Sequence, residues 1–225
     1  HAGQGMAGRG DLPPRSTTPQ RDYRPLFRLQ SADNLIWNLN PNETVPPRWH
    51  REPPPTQYWP VGEYGQFARQ YQVLPGTPPG EYRLDVTFFD LATLETSKTI
   101  TPEGVPQTDR VDLGTVTVVR PSTPASPAAL EIKTETDTRL IPEVTLLGGS
   151  SDLQQAMPGD LMTMTLFFHA DSAPNADEDI ILALQGTDFA RILEPTPGYP
   201  TGQWQRGDVW RGQHLLRLPA NLPDG

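Results

Sequence analysis

Cysteine is absent from all 225 residues. That excludes disulfides, zinc–thiolate centres and thiol nucleophiles within the chain. An extracytoplasmic domain need not carry disulfides, so the compartment stays open. Histidine is scarce: His1, His50, His169 and His214 stand apart, with no HExxH or HxH pairing that would hold a metal. No apolar run approaches the roughly 18–20 residues of a membrane-spanning helix, and no signal-peptide core is visible. Helix itself is disfavoured, because few windows longer than about ten residues lack proline or glycine. Basic charge is in deficit: 18 Lys and Arg stand against 27 Asp and Glu, for a net charge of −9. A general nucleic-acid partner needs a basic face, and a polybasic membrane-surface role needs a cationic cluster. Neither is expected.

What the chain does have is proline and glycine, 27 and 19 residues, about a fifth of the whole. With them come short apolar runs, hydrophobic residues making up 35% of the sequence. That combination supports packed cores joined by proline-rich connections. One phrase occurs twice. Residues 55–80 read PTQYWPVGEYGQFARQYQVLPGTPPG, and residues 200–225 read PTGQWQRGDVWRGQHLLRLPANLPDG. Pro55/Pro200, Thr56/Thr201, Trp59/Trp204, Gly62/Gly207, Pro78/Pro223 and Gly80/Gly225 coincide without a gap, and Glu63 matches Asp208 in charge. Matches of this kind at fixed offsets mark two copies of one structural unit.

Strand signals surround both copies. Tyr23–Leu29 reads as a strand, followed by the polar SADN turn and a short strand around Leu35–Leu39. Another runs from about Gln66 to Leu74, and GTPPG then makes a turn whose later position calls for positive φ. In EYRLDVTFF, Tyr82, Leu84, Val86 and Phe88 alternate with Arg83, Asp85 and Thr87, the pattern of a half-buried antiparallel strand. LGTVTVV (113–119) repeats it. In LMTMTLFF, Met162, Met164, Leu166 and Phe168 share a face, and IILALQ follows as a short apolar strand. The expected fold is therefore all-β, as tandem antiparallel β-sandwich units of immunoglobulin-like or jelly-roll-like type. The first covers residues 1–120, with 1–20 a loop or disordered arm. A Pro/Ala/Ser linker occupies 121–129, and the second unit covers 130–225. Matching His1-Ala2 to His169-Ala170 implies that the first unit lacks its opening strands and the second its closing ones.

No constellation for catalysis emerges, and neither a cofactor nor a metal is expected. There is no GxSxG, Walker loop or strand-to-helix GxGxxG. Gly5–Gly10 reads as a flexible loop and His169 as a strand-end residue. Asp171, Asp177, Glu178 and Asp179 could supply calcium oxygens, but their spacing is not that of an EF-hand and a solvated acidic loop is the simpler reading. Trp59 and Trp204 are expected to plug the sandwich edge before the Trp-x-x-Gly-acid turn. Aromatics in proline-rich loops stack on sugar rings. Trp49 (flanked by Arg48 and Arg51), Tyr58 and Trp210 are the candidates for such a role.

Three further phrases carry a resemblance. They are Pro158-Gly159-Asp160 through Phe168, Tyr199 through Asp208, and Pro79-Gly80-Glu81-Tyr82 through Phe89-Asp90. Together they resemble β-sandwich modules in the extracytoplasmic C-terminal portions of bacterial multi-spanning glycosyltransferase-like proteins of the dolichyl-phosphate-mannose (GT-C) type. Phe168 stands where that pattern has tryptophan. The resemblance implies a non-catalytic accessory or interaction region on the outer face of a bacterial membrane or at the cell surface. Its partners would be other domains of the same membrane protein or envelope glycans. A carbohydrate-binding module and a structural spacer are the alternative readings, and no transferase residue carries over.

Overall fold

In a computed structural model the chain is described over residues 19–38, 54–62, 72–101 and 103–222. It is all-β, and its sheets are antiparallel. Besides strands, the described residues form only 3-10 turns of three residues each, as the frequency of proline and glycine dictates. Trp49, Gly225 and most of the Gln66–Leu74 strand expectation lie outside the described residues.

The strands in chain order are β1 (Tyr23–Gln30), β2 (Gly80–Asp90), β3 (Thr96–Ser97), β4 (Val111–Val118), β5 (Thr134–Ile141), β6 (Val144–Ser151), β7 (Leu161–Ala170), β8 (Ile180–Ala183), β9 (Ala190–Leu193) and β10 (Val209–Arg217). One sheet runs β1-β2-β3, with β4 also on β2. A second runs β10-β7-β6-β5, and β8-β9 form a two-stranded ribbon. Among the described residues, 19–27, 54–62 and 85–113 belong to one compact unit, and 28–38, 72–84 and 114–222 to another. The 121–129 segment lies within the second unit and forms a short turn at Pro127–Ala129.

In the first unit Arg21 Nη1 bonds the Asp90 carboxylate at 2.7 Å. The Thr87 hydroxyl donates to the Asp109 carbonyl, and Phe88–Phe89 pair with the β3 residues.

In the second unit β7 has both faces covered. Phe168 faces Val144, Ala170, Tyr199, Trp204 and Trp210, while Phe167 packs with Leu130 and Val209. Adjacent strand residues point to opposite faces, so the consecutive phenylalanines serve two separate clusters. β10 lies at a sheet margin yet is almost wholly buried. Its Arg211 N–H donates to the Gly76 carbonyl, and the Gln213 amide donates to the Ile36 carbonyl. One backbone donor that the edge would expose, the Arg211 N–H, is thus satisfied.

Three sequence expectations need correction. Gly80 belongs to β2, and the residue with positive φ in this turn is Gly76 at +79°; the chain reverses before the Pro-Pro pair instead of after it. Residues 35–38, the described part of the Leu35–Leu39 expectation, give a single bridge at Ile36 in place of a strand. β2 is half-buried only at its start, since Asp85 and Thr87 are covered as fully as Val86. Both faces of its second half meet protein.

Candidate functional site

The duplicated phrase folds the same way twice. Thr56–Tyr58 and Thr201–Gln203 are 3-10 turns, each preceded by a proline and closed by an extended tryptophan. Proline before the turn presets φ and needs no donor. In the first copy the Thr56 hydroxyl donates to the Arg21 carbonyl at 2.8 Å and accepts from the Tyr23 N–H at 2.8 Å, while Asp22 Oδ1 accepts from the Thr56 N–H. In the second, the Thr201 hydroxyl donates to Ala176 and accepts from Glu178 N–H, while Asp177 Oδ1 accepts from the Gly202 N–H. Each threonine clamps the turn to the residues that lead into a strand, β1 in the first copy and β8 in the second. Each indole Nε1 then donates to the carbonyl five residues back, Trp59 to Pro54 at 2.6 Å and Trp204 to Tyr199 at 3.3 Å. Gly62 and Gly207 close the corner at φ +84° and +86°, a conformation glycine adopts without steric cost.

The two corners differ in what covers them. Trp204 is 1% exposed, tilted against Phe168 at 5.9 Å between ring centroids. Trp59 is half-buried, and Tyr58 beside it is 66% exposed, with Pro60 and Val61 also open. Tyr58 and Trp59 therefore make an aromatic edge whose backbone is already fixed by the threonine clamp.

Trp210, expected as an exposed stacking residue, is buried at 1%. It meets Tyr199 edge-on at 5.3 Å and lies opposite Phe168 across the β7–β10 pair. A ring enclosed on this scale cannot stack on a sugar, so that assignment is corrected: Trp210 is core.

Above it sits Arg120, whose guanidinium bonds Asp208 Oδ2 at 2.5 Å, the Gln203 carbonyl at 2.5 Å and the Tyr199 hydroxyl. Burial raises the Tyr199 phenol above its ordinary value, with Arg120 acting in the opposite direction. This group ties Arg120, just before the 121–129 segment, to the acidic position of the repeat. The sequence signal was the Glu63/Asp208 match; the arginine had no counterpart that could have marked it.

Asp171 accepts from the Thr145 hydroxyl at 2.6 Å and contacts His169 Nδ1 at 2.9 Å; the threonine contact is the first cause of its lowered pKa. The hydroxyl is directed to the carboxylate and not to the imidazole, so no nucleophile–base pair is formed. Among the described residues no three histidine or carboxylate groups converge as a metal site. A shallow cavity of about 400 Å³ is lined by Asp33, Leu35, Leu193, Pro197, Gln213, His214 and Leu215.

His214 is buried there, and desolvation holds its pKa below 6.5, opposed by the Pro195 carbonyl. A base whose folded value is depressed is protonated first in the unfolded chain as pH falls. Its stabilising contribution is complete above about 6.5 and declines below it. The urea midpoint is expected to fall between pH 7.5 and 5.5, and His214→Gln to flatten that slope. Asp90 and Asp171, with pKa values lowered below 3.8, act in a separate window at lower pH. An unchanged slope in the variant would assign the acid sensitivity elsewhere.

No family model matches the chain, nor does any curated protein or solved structure.

Proposed function

We propose that the chain is a non-catalytic interaction region, with the Tyr58–Trp59 edge as its contact surface and a cell-envelope glycan as the partner class. The observation that carries this reading is the contrast between the two corners. One geometry, held by the same hydrogen bonds, is sealed at Trp204 and left open at Tyr58. An exposed ring on a fixed backbone stacks on the apolar face of a pyranose with little further ordering cost.

Titration with envelope polysaccharide is expected to shift tryptophan emission. Tyr58→Ala should weaken binding about tenfold, near 1.4 kcal/mol, without moving the melting temperature. A flat titration of the intact chain removes the glycan reading and leaves a structural spacer.

The setting we propose is the outer face of a bacterial membrane, as part of a larger membrane-anchored, glycosyltransferase-like protein. Support comes from the resemblance of the Pro-Gly-Asp, Tyr-Pro-Thr and Pro-Gly-Glu-Tyr phrases to that group. No helix among the described residues is long and apolar enough to cross a membrane, so the anchor in this proposal belongs to other parts of the protein. A full-length gene that encodes no membrane span would overturn it.

A further inference from the structure

The equivalence of the two corners extends upstream to the strands that they clamp. Arg21, Asp22 and Tyr23 bond Thr56 just as Ala176, Asp177 and Glu178 bond the Thr201 turn. β1 and β8 therefore both follow directly on the clamp, β1 from Tyr23 and β8 two positions later, from Ile180. The match continues in sequence, Leu29-Gln30-Ser31-Ala32-Asp33 against Leu184-Gln185-Gly186-Thr187-Asp188.

Their surroundings diverge. β1 is hydrogen-bonded to β2 and makes an antiparallel bridge from Gln30 to Ile36. β8 pairs with β9 alone among the described strands. Leu29 is 4% exposed, clustered with Trp37 and with Tyr82 of β2, whereas Leu184 at the matching position is 38% exposed. Ile181 and Ile192, directly opposite each other, are 73% and 71% exposed. A two-stranded ribbon is marginal alone in water, and a free strand edge is a template for backbone pairing.

We propose that the free edge of β8 is an acceptor for an extended strand of the β2 pattern, Glu-Tyr-Arg-Leu-Asp-Val-Thr-Phe-Phe-Asp. Its leading aromatic covers Leu184 as Tyr82 covers Leu29. In the register of the repeat, Gly225 stands to Gly207 as Gly80, the first residue of β2, stands to Gly62, so Gly225 is the point at which to join such a strand. The main-chain ladder gives the pairing, and alternate apolar side chains give the register.

The Leu184 N–H is turned to the β9 side, donating to Phe189. Amides alternate in direction along a strand, so those of Ile181 and Ala183 point at the open edge.

The test extends the 225-residue chain after Gly225 with the sequence of residues 81–90 and measures amide exchange. Exchange at Ile181 and Ala183 is expected to slow about tenfold or more relative to the unextended chain. An extension of the same composition in scrambled order should leave both amides unchanged. Equal exchange in the extended and unextended chains overturns the proposal. So does equal protection by the scrambled extension, or protection that appears on β5 instead of β8.

Discussion

Trp204→Ala is expected to destabilise the chain by ~3–5 kcal/mol, the cost of removing a large aromatic from a closed core. Trp59→Ala, at the equivalent position, should lose only ~1–2 kcal/mol of transfer free energy. The difference does not come from the corner itself, because both indoles donate to the carbonyl five residues back. It comes from what lies beyond the ring. Trp204 has Phe168, Trp210, Val144 and Ala170 of the four-stranded sheet around it, together with Tyr199, so the surroundings cannot collapse into the space. Trp59 keeps part of its surface in solvent, and its removal empties no enclosed volume. Urea melts of the two variants, read by far-UV dichroism, measure the pair. Equal losses would show that the corners share one structural role and that the open edge has none of its own.

Gly212→Ala should be nearly as damaging, at ~3 kcal/mol or more. A Cβ built at Gly212 lies 1.8 Å from the Pro195 carbonyl oxygen and 3.0 Å from its carbon. The obstacle is backbone, so no rotamer change relieves it. Gly212 is also fixed in register opposite Leu166, between Arg211 and Gln213, whose side chains bond Leu130, Pro75 and Ile36. Neither partner is free to retreat. Gly207→Ala is the control. Its Cβ would meet nothing within 4 Å, but φ is +86°, so only the left-handed strain of ~1–2 kcal/mol applies. A reversed order between these two glycines would contradict the close approach of residues 195 and 212.

Much of the fold could be read in the residues. Alternation in LMTMTLFF and EYRLDVTFF gave β7 and β2 because a pleated strand sorts side chains by parity. The Pro-Thr-x-x-Trp-x-x-Gly repeat marked two corners because proline, a hydroxyl and glycine each meet one requirement of that turn. Parity gives no information on how many faces are covered, so Asp85 and Thr87 looked exposed and are not. It also could not distinguish Trp210 from Tyr58, since only three-dimensional packing separates the buried ring from the open one. Arg120 was invisible for a different reason. Its partners Asp208, Tyr199 and Gln203 are about 80 residues away, and spacing arguments do not reach that far. The Leu-Gln-x-x-Asp match upstream was legible, but it is displaced from the downstream register and is lost when a single offset is scanned.

That displacement has a consequence for how such units can diversify. The threonine of each corner reaches back to its strand across a different length of chain, 33 residues from Tyr23 to Thr56 and 23 from Glu178 to Thr201. Closing the longer span costs only ~0.3 kcal/mol more in chain entropy, by the logarithmic dependence on length. A side-chain clamp thus uncouples the position of the corner from the length of the segment leading to it. Ten residues can be added or removed there while the tryptophan stays in place. The same clamp makes this segment a permissive insertion point for foreign sequence, available to evolution and to engineering alike.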